Sequence, residues 1–406
     1  MAAEGVLFET AVSPTSWTLP SHLTLLTSLP PMEHGVTTPD KKLHDEVVTL
    51  AEVLHDAGYQ TAGFVSGPFL HSSYGFSQGF DLYDDYTVCL PAGPASHQGA
   101  TSPGLHDIVD TWLTERSATG DPPPFFIFLH MWDVHYDYLP PAPYDTLFDP
   151  DYTGNIDPHN YEKGEQVNPD MDPRDLQHII ALYDGEIRYT DFWLGKILER
   201  MRELGVFENT IIVVTADHGD EFFEHGKKGH LNNLYDLEIR VPLIVRYPEK
   251  VPVGRRVHMV RLMDIGPTLL SLAGVESPEE FGMAMKSSPY RERDLSPLLG
   301  CPGTSMKKWK NVTAFGDLWE RHACVRTERL KYVHYLLGDH EEELFDLVKD
   351  PGETVNLLAE GDPRGAAMLD ELMTWRERRA ESMVAVEEAE TPEALEKRLR
   401  TLGYVR

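Results

Sequence analysis

Apolar positions along this chain follow two distinct patterns. Short continuous runs rich in Val, Ile and Phe stand at Thr61–Val65, Phe125–His130, Ile211–Thr215 and Val241–Arg246. Runs of this length without polar alternation predict strands buried on both faces. Between them the apolar residues recur at helical spacing. Leu43, Val47, Leu50 and Leu54 predict one helical stripe ending at Gly58. A longer helix is predicted from Pro173 through Ile179, Ile180, Tyr183 and Ile187 to Leu204, with Gly205 as its stop. Asp264–Ala273 predicts another, closed by Gly274. Strands that alternate with helices place the chain in the α/β class, with a mostly parallel central sheet.

The segments Ala92–Gly104 and Pro140–Pro173 are rich in Pro, Gly, Asp and Asn and predict loops; the second is long enough to rim a site. From about Ser287 to Met306 the pattern dissolves. This predicts a main domain over residues 1–305 and a smaller C-terminal α+β subdomain over 306–406. In the latter, Ala323–Thr327, Lys331–Leu336 and Glu343–Leu347 predict antiparallel strands, and Ala366–Leu399 a charged helical stretch.

A formal net charge of −30 argues against an extended nucleic-acid surface, which needs clustered Lys and Arg. It leaves an anionic small-molecule substrate open, because a metal ion reverses the local field of a site. No stretch reaches the roughly 18–20 apolar residues of a membrane span. The three cysteines, Cys89, Cys301 and Cys324, form neither a disulfide framework nor a zinc pattern, and favour a reducing compartment. Met1–Gly5 lacks a signal-peptide layout, so a cytoplasmic location is expected. Oligomeric state is not legible.

Ligands of open α/β sheets sit beyond the carboxyl ends of the strands. Two runs end there in polar clusters. One leads into His130-Met131-Trp132-Asp133-Val134-His135, the other into Thr215-Ala216-Asp217-His218-Gly219-Asp220-Glu221. Adjacent oxygen and imidazole donors at a turn can converge on one cation, so Asp217 and His218 are the leading metal ligands; the plainer reading is a turn with an N-cap aspartate. His230 follows in a glycine-rich loop, where an imidazole can bind an anion or protonate a leaving oxygen. His225 reads as part of that loop alone. Near the start stands Thr18-Leu19-Pro20-Ser21-His22, which by itself reads as a turn into a helix with Ser21 as cap.

Together these segments resemble the sulfatase family of the alkaline phosphatase superfamily. The family signature Cys-x-Pro-Ser-Arg, followed by Leu-Thr-Gly and His-Gly, is matched by Thr18–His22, Leu26-Thr27-Ser28 and His34-Gly35. The resemblance also covers Asp264-Ile265-Gly266-Pro267-Thr268 and Glu343–Leu347. It implies an alkaline-phosphatase-like sandwich and a hydrolase with one divalent ion (Mn, Zn, Ca or Mg). His218, where an Asn is common, favours Mn or Zn. It further implies Thr18 as nucleophile and metal contact, His135 and His230 as catalytic groups, and His22 and Ser66 as substrate contacts.

Two departures follow. The family nucleophile is a Cys or Ser oxidised to formylglycine, and the extra methyl of Thr18 blocks that maturation. A threonine alkoxide can instead attack phosphorus. Val65–Leu70 also lacks the lysine of the family's Gly-Lys-Trp-His segment. The resemblance therefore points to phosphate mono- or diesters, or phosphonate esters, ahead of sulfate esters. Only seventeen residues precede Thr18, and none matches the family's first, metal-binding strand. This implies a natural protein that is longer, with Met1 internal; the alternative is a truncated member that binds without turnover. A sulfatase with a nucleophile other than formylglycine is the third reading.

Overall fold

The computed structural model describes residues 1–85, 101–158, 161, 164–282, 293–306, 309–319, 321–338 and 341–402. Cys89, most of the Ala92–Gly104 loop and the start of the Ser287–Met306 boundary lie outside the described residues. In chain order the principal elements are β1 (Val6–Val12), α1 (Thr18–Thr27), α2 (Leu50–Asp56), β2 (Gln60–Val65), α3 (Thr101–Ser117), β3 (Phe125–His130), α4 (Pro173–Glu203), β4 (Ile212–Thr215) and β5 (Arg240–Arg246). They continue with α5 (Ile265–Ala273), β6 (Ala314–Leu318), β7 (His322–Arg326), β8 (Leu330–Tyr335), β9 (Glu343–Asp346), α6 (Arg364–Ser382) and α7 (Glu393–Leu402).

The chain forms two compact units. One comprises Met1–Ala57, Asn209–Asp220 and His230–Ala389; the other comprises Gly58–Glu208, Glu221–Gly229 and Glu390–Arg406. The first unit is built on a mixed sheet. β5 lies between β1 and β4 and is antiparallel to both, while Gly254–Arg256 and Val260–Arg261 run parallel along the other edge of β1. The α/β class holds, but the two runs around Ile212 and Val241 pair antiparallel. A short connection allows this, whereas a parallel pair needs a long crossover. Val6, Phe8, Leu243, Val245, Leu262 and Leu298 fill the core beside this sheet.

A four-stranded antiparallel meander, β6 to β9, completes this unit. It packs on α6 through Phe315, Val325, Tyr332, Leu372 and Trp375, with Phe315 and Trp375 stacked at 4.6 Å. The three expected strands are present, preceded by β6. The expected last helix is broken: α6 ends at Ser382, Glu387–Glu388 pairs with Lys41–Lys42, and α7 follows Pro392. α2 also starts later than the apolar spacing implies. Thr49 Oγ1 accepts from Glu52 N at 3.1 Å and Glu52 Oε2 accepts from Thr49 N at 2.8 Å, a capping box that sets the start at Leu50.

The second unit holds a parallel sheet in which β2 lies between Leu82–Asp84 and β3. β2 is buried as expected; β3, an edge strand here, is only half-buried along its length. α4 spans Pro173–Glu203 as its periodicity predicts. Asp172 Oδ1 accepts from Arg174 N at 2.8 Å, and Pro173 occupies the first turn. Its inner face meets a largely aromatic core of Tyr136, Tyr138, Tyr161 and Phe222, joined by Val167. Among the described residues of 131–172 there is no regular element, in line with the expected loop.

Candidate active site

α1 begins at Thr18, after an extended Trp17 (φ −144°). Pro20 suits the first turn, where an N–H would lack an intrahelical partner. The expected cap is corrected: Ser21 lies inside α1 and is fully buried. Its hydroxyl donates to the Asp217 carbonyl at 2.9 Å and lies 3.0 Å from Ser13 Oγ. That bond ties the first turn of α1 to the chain leaving β4.

The turn after β4 depends on Gly219. Its N–H donates to Glu238 O at 2.8 Å, and a Cβ there would meet Leu237 O at 2.2 Å. No other residue permits that approach. The segment after His230 is held as well. Leu231 N donates to Ser16 O at 3.3 Å, and Ser16 Oγ donates to Asn233 O at 2.8 Å.

These stitches bring six side chains together. His218 Nδ1 lies 3.0 Å from Gly219 O. A carbonyl only accepts, so Nδ1 carries the proton and Nε2 presents its lone pair. Thr18 Oγ1 donates to that Nε2 at 3.2 Å, across 200 residues of sequence, and Asp217 Oδ2 lies 3.4 Å from it. His22 Nδ1 donates to Thr18 O at 2.9 Å and stands 3.4 Å from Asp217 Oδ2. The His230 ring lies tilted against that of His218 with centroids 4.1 Å apart, and its Nδ1 donates to Asp220 Oδ1 at 2.7 Å. Burial pulls His22 below the ordinary imidazole range, with Asp217 opposing. Burial also lowers His230, helped by the neighbouring His218.

The donor set suits a divalent cation. His218, Asp220 and His230 offer ligand atoms within 4.8 Å of one another, and the Nε2 of His218 is also the meeting point of Thr18 and Asp217. Imidazole and carboxylate donors together match a borderline metal such as Mn²⁺ or Zn²⁺. Asp220 is the residue the sequence reading missed. Its signal was position: two residues beyond His218 across a glycine turn, it lies within reach of the same centre.

Ser66 and His135 belong to the other unit. Ser66 is fully buried; its hydroxyl donates to His130 O at 3.0 Å and accepts from Trp132 N at 3.1 Å and Thr101 Oγ1 at 3.3 Å. Its hydrogen-bonding capacity is filled within the protein, where it clamps the ends of β2 and β3 together. His135 Nδ1 donates to Tyr136 O at 2.7 Å, and its ring packs between Trp132 and Tyr136 at 4.9 and 4.2 Å. His225 N donates to Glu221 Oε1 at 2.7 Å in the adjoining loop. Cys301 and Cys324 are buried free thiols, the latter pushed up to about 12 by burial. No helix among the described residues is long and apolar enough to cross a membrane.

The arrangement of layers is the α/β fold of alkaline-phosphatase and sulfatase type. The phosphonate monoester hydrolase of Agrobacterium radiobacter superposes with a TM-score of 0.71 at 22% identity, covering 94% of this chain and 90% of that one. The Sulfatase family profile matches residues 1–275, and that of the N-sulphoglucosamine sulphohydrolase C-terminal region matches 225–378. The chain belongs to the sulfatase family. Arylsulfatase K of Bos taurus is 31% identical over 195 residues, 46% of this chain and 34% of that protein. Delta 4,5-hexuronate-2-O-sulfatase of Bacteroides thetaiotaomicron is 25% identical over 404 residues, 91% of this chain and 80% of that protein. The matched stretch spans about a third of the length of the first curated relatives.

Proposed function

We propose that this chain is a metal-dependent hydrolase of small anionic esters, phosphate or phosphonate ahead of sulfate, with Thr18 as nucleophile. The observation that carries this reading is the convergence of Thr18 Oγ1 and Asp217 Oδ2 on His218 Nε2, at 3.2 and 3.4 Å. Asp217, His218 and the Thr18 oxygen would hold one divalent ion, with Asp220 beside them. When bound, that ion lowers the pKa of the hydroxyl and offsets charge on the transferred group. His218 Nε2 then serves as a ligand, so the Thr18 proton leaves to water.

Thr18 sits at the N-terminus of α1, whose free N–H groups and dipole favour an anionic group in front of it. Its oxygen forms a bond to phosphorus as the bond to the alcohol breaks, and the departing oxygen takes a proton. His230 is suited to relay it from water: burial keeps the ring neutral, Asp220 holds Nδ1–H, and Nε2, turned away from the carboxylate, takes up a water proton and passes it on. Water then attacks the phosphothreonine and the Thr18 O–P bond breaks. His22 holds the Thr18 carbonyl and so orients the first turn. Sulfatase activity on sugars, named for the Bacteroides relative, follows the same in-line geometry but needs Thr18 to release sulfate without an aldehyde.

Incubation with Mn²⁺ or Zn²⁺ and paired aryl phosphodiesters and aryl sulfates tests this. Turnover is expected with the phosphodiesters, together with an acid-stable phosphoryl adduct on the peptide containing Thr18. Thr18→Ala should lose about 10⁴-fold in kcat. Unchanged turnover in that variant removes Thr18 from the role, and no turnover of any ester by the wild type removes the hydrolase reading.

A further inference from the structure

Arg116 stands out in the second unit. It lies in the last turn of α3 and is 9% exposed, yet no carboxylate or carbonyl of the described residues receives its guanidinium. Nε has no hydrogen-bond partner among the described residues, and the group lies over the Phe125 ring, 4.8 Å from its centroid. A cation near a helix C-terminus offsets the dipole, but that role is served by a side chain reaching into water. This one is folded back onto an aromatic face in a chain with 66 Asp and Glu against 36 Lys and Arg. Burial pulls the guanidinium pKa down, and no acidic neighbour restores it.

The guanidinium lines a surface recess of 520 Å³ together with Gln60, Trp112, Thr119, Pro122 and Pro123. Phe64 and Phe125 hold Trp112 edge-on at 6.0 Å each. Thr119 closes the helix end, its N–H and hydroxyl both donating to Arg116 O. Gln60 is the first residue of β2, and Pro122–Pro123 lead into β3. The recess therefore lies at the opposite ends of these parallel strands from Ser66 and His130. The exposed Glu115 and Asp121 stand on its rim and disfavour a second negative charge.

We propose that this recess is a binding site, separate from the candidate active site, for a small monoanionic ring compound such as an aromatic or sugar carboxylate. The anionic group pairs with Arg116 in the fork geometry that guanidinium favours. The ring face lies against Trp112 and the two prolines, and Gln60 hydrogen-bonds any polar group on its edge.

Calorimetric titration of the full chain with benzoate, with neutral benzamide as control, tests this. Benzoate is expected to bind in the millimolar range and benzamide not detectably. Arg116→Met should weaken benzoate at least about tenfold while turnover of aryl esters stays unchanged. Gln60→Glu, which adds a rim charge and keeps Arg116, should also weaken benzoate several-fold and decides the matter if Arg116→Met does not fold. Thr18→Ala should bind benzoate as the wild type does. Equal benzoate affinity in wild type and both recess variants, equal binding of benzamide, or no binding of benzoate at all would overturn the proposal.

Discussion

Glu186 offers a measurement that reaches into the physics of the second unit. It lies on the inner face of α4, 4% exposed, and its Oε1 accepts from Leu139 N at 2.9 Å. Burial, with Asp133 adding repulsion, pushes its carboxyl from 4.5 up to about 9. The folded protein therefore keeps this proton at neutral pH, whereas the unfolded chain loses it above about 4.5. Below that pH both states are protonated and folding carries no cost. Between 4.5 and 9, stability falls by about 1.4 kcal/mol per pH unit, reaching about 3 kcal/mol at pH 7. Glutamine preserves the pattern of a protonated carboxyl, one acceptor and one donor side, without the ionisation. Glu186→Gln should thus gain about 3 kcal/mol over the wild type at pH 7 and nothing at pH 4. Urea unfolding of both proteins from pH 4 to pH 8 reads the difference directly. Parallel stability curves across that range would show that Glu186 is ionised in the fold, and the reasoning from burial would fail.

Three further outcomes test the first unit. Lys331 is fully buried, with Nζ 2.6 Å from Asp236 Oδ1 and 2.8 Å from Glu353 Oε1. Lys331→Met strands Glu353 without its cation and should cost about 3–5 kcal/mol in urea unfolding; adding Glu353→Gln should recover part of it. Asp236 also pairs with Arg326 at 2.7 Å; against the opposing effect of burial, Lys331 first and then Arg326 keep its carboxyl well below the usual range, so this network should weaken as acid protonates it. Asp220→Asn removes the carboxylate that orients His230 and should lower Mn²⁺ affinity about 10–100-fold by calorimetry, with unfolding little changed. Unchanged affinity would place Asp220 outside the metal centre.

Much of this protein was decided within short windows of sequence. The β-branched and aromatic runs at Gln60–Val65, Phe125–His130 and Arg240–Arg246 form strands because their side chains suit a pleated, buried surface. α4 follows from its 3.6-residue stripe, Asp172 and Pro173, and Asp217-His218 sits at a strand end as its composition indicated. Periodicity reports which faces are buried, not which neighbour covers them. Strand direction around β5, the extra strand β6, the late start of α2 and the break between α6 and α7 therefore required the folded chain. So did the centre itself: Thr18 meets His218 because Ser21 ties the start of α1 to the Asp217 turn, which Gly219 anchors against Glu238. Asp220 joined that centre, and Ser66 became a clamp, for one reason. A side chain's role depends on the atoms within about 4 Å of it, and those come from distant parts of the chain that only tertiary packing brings near.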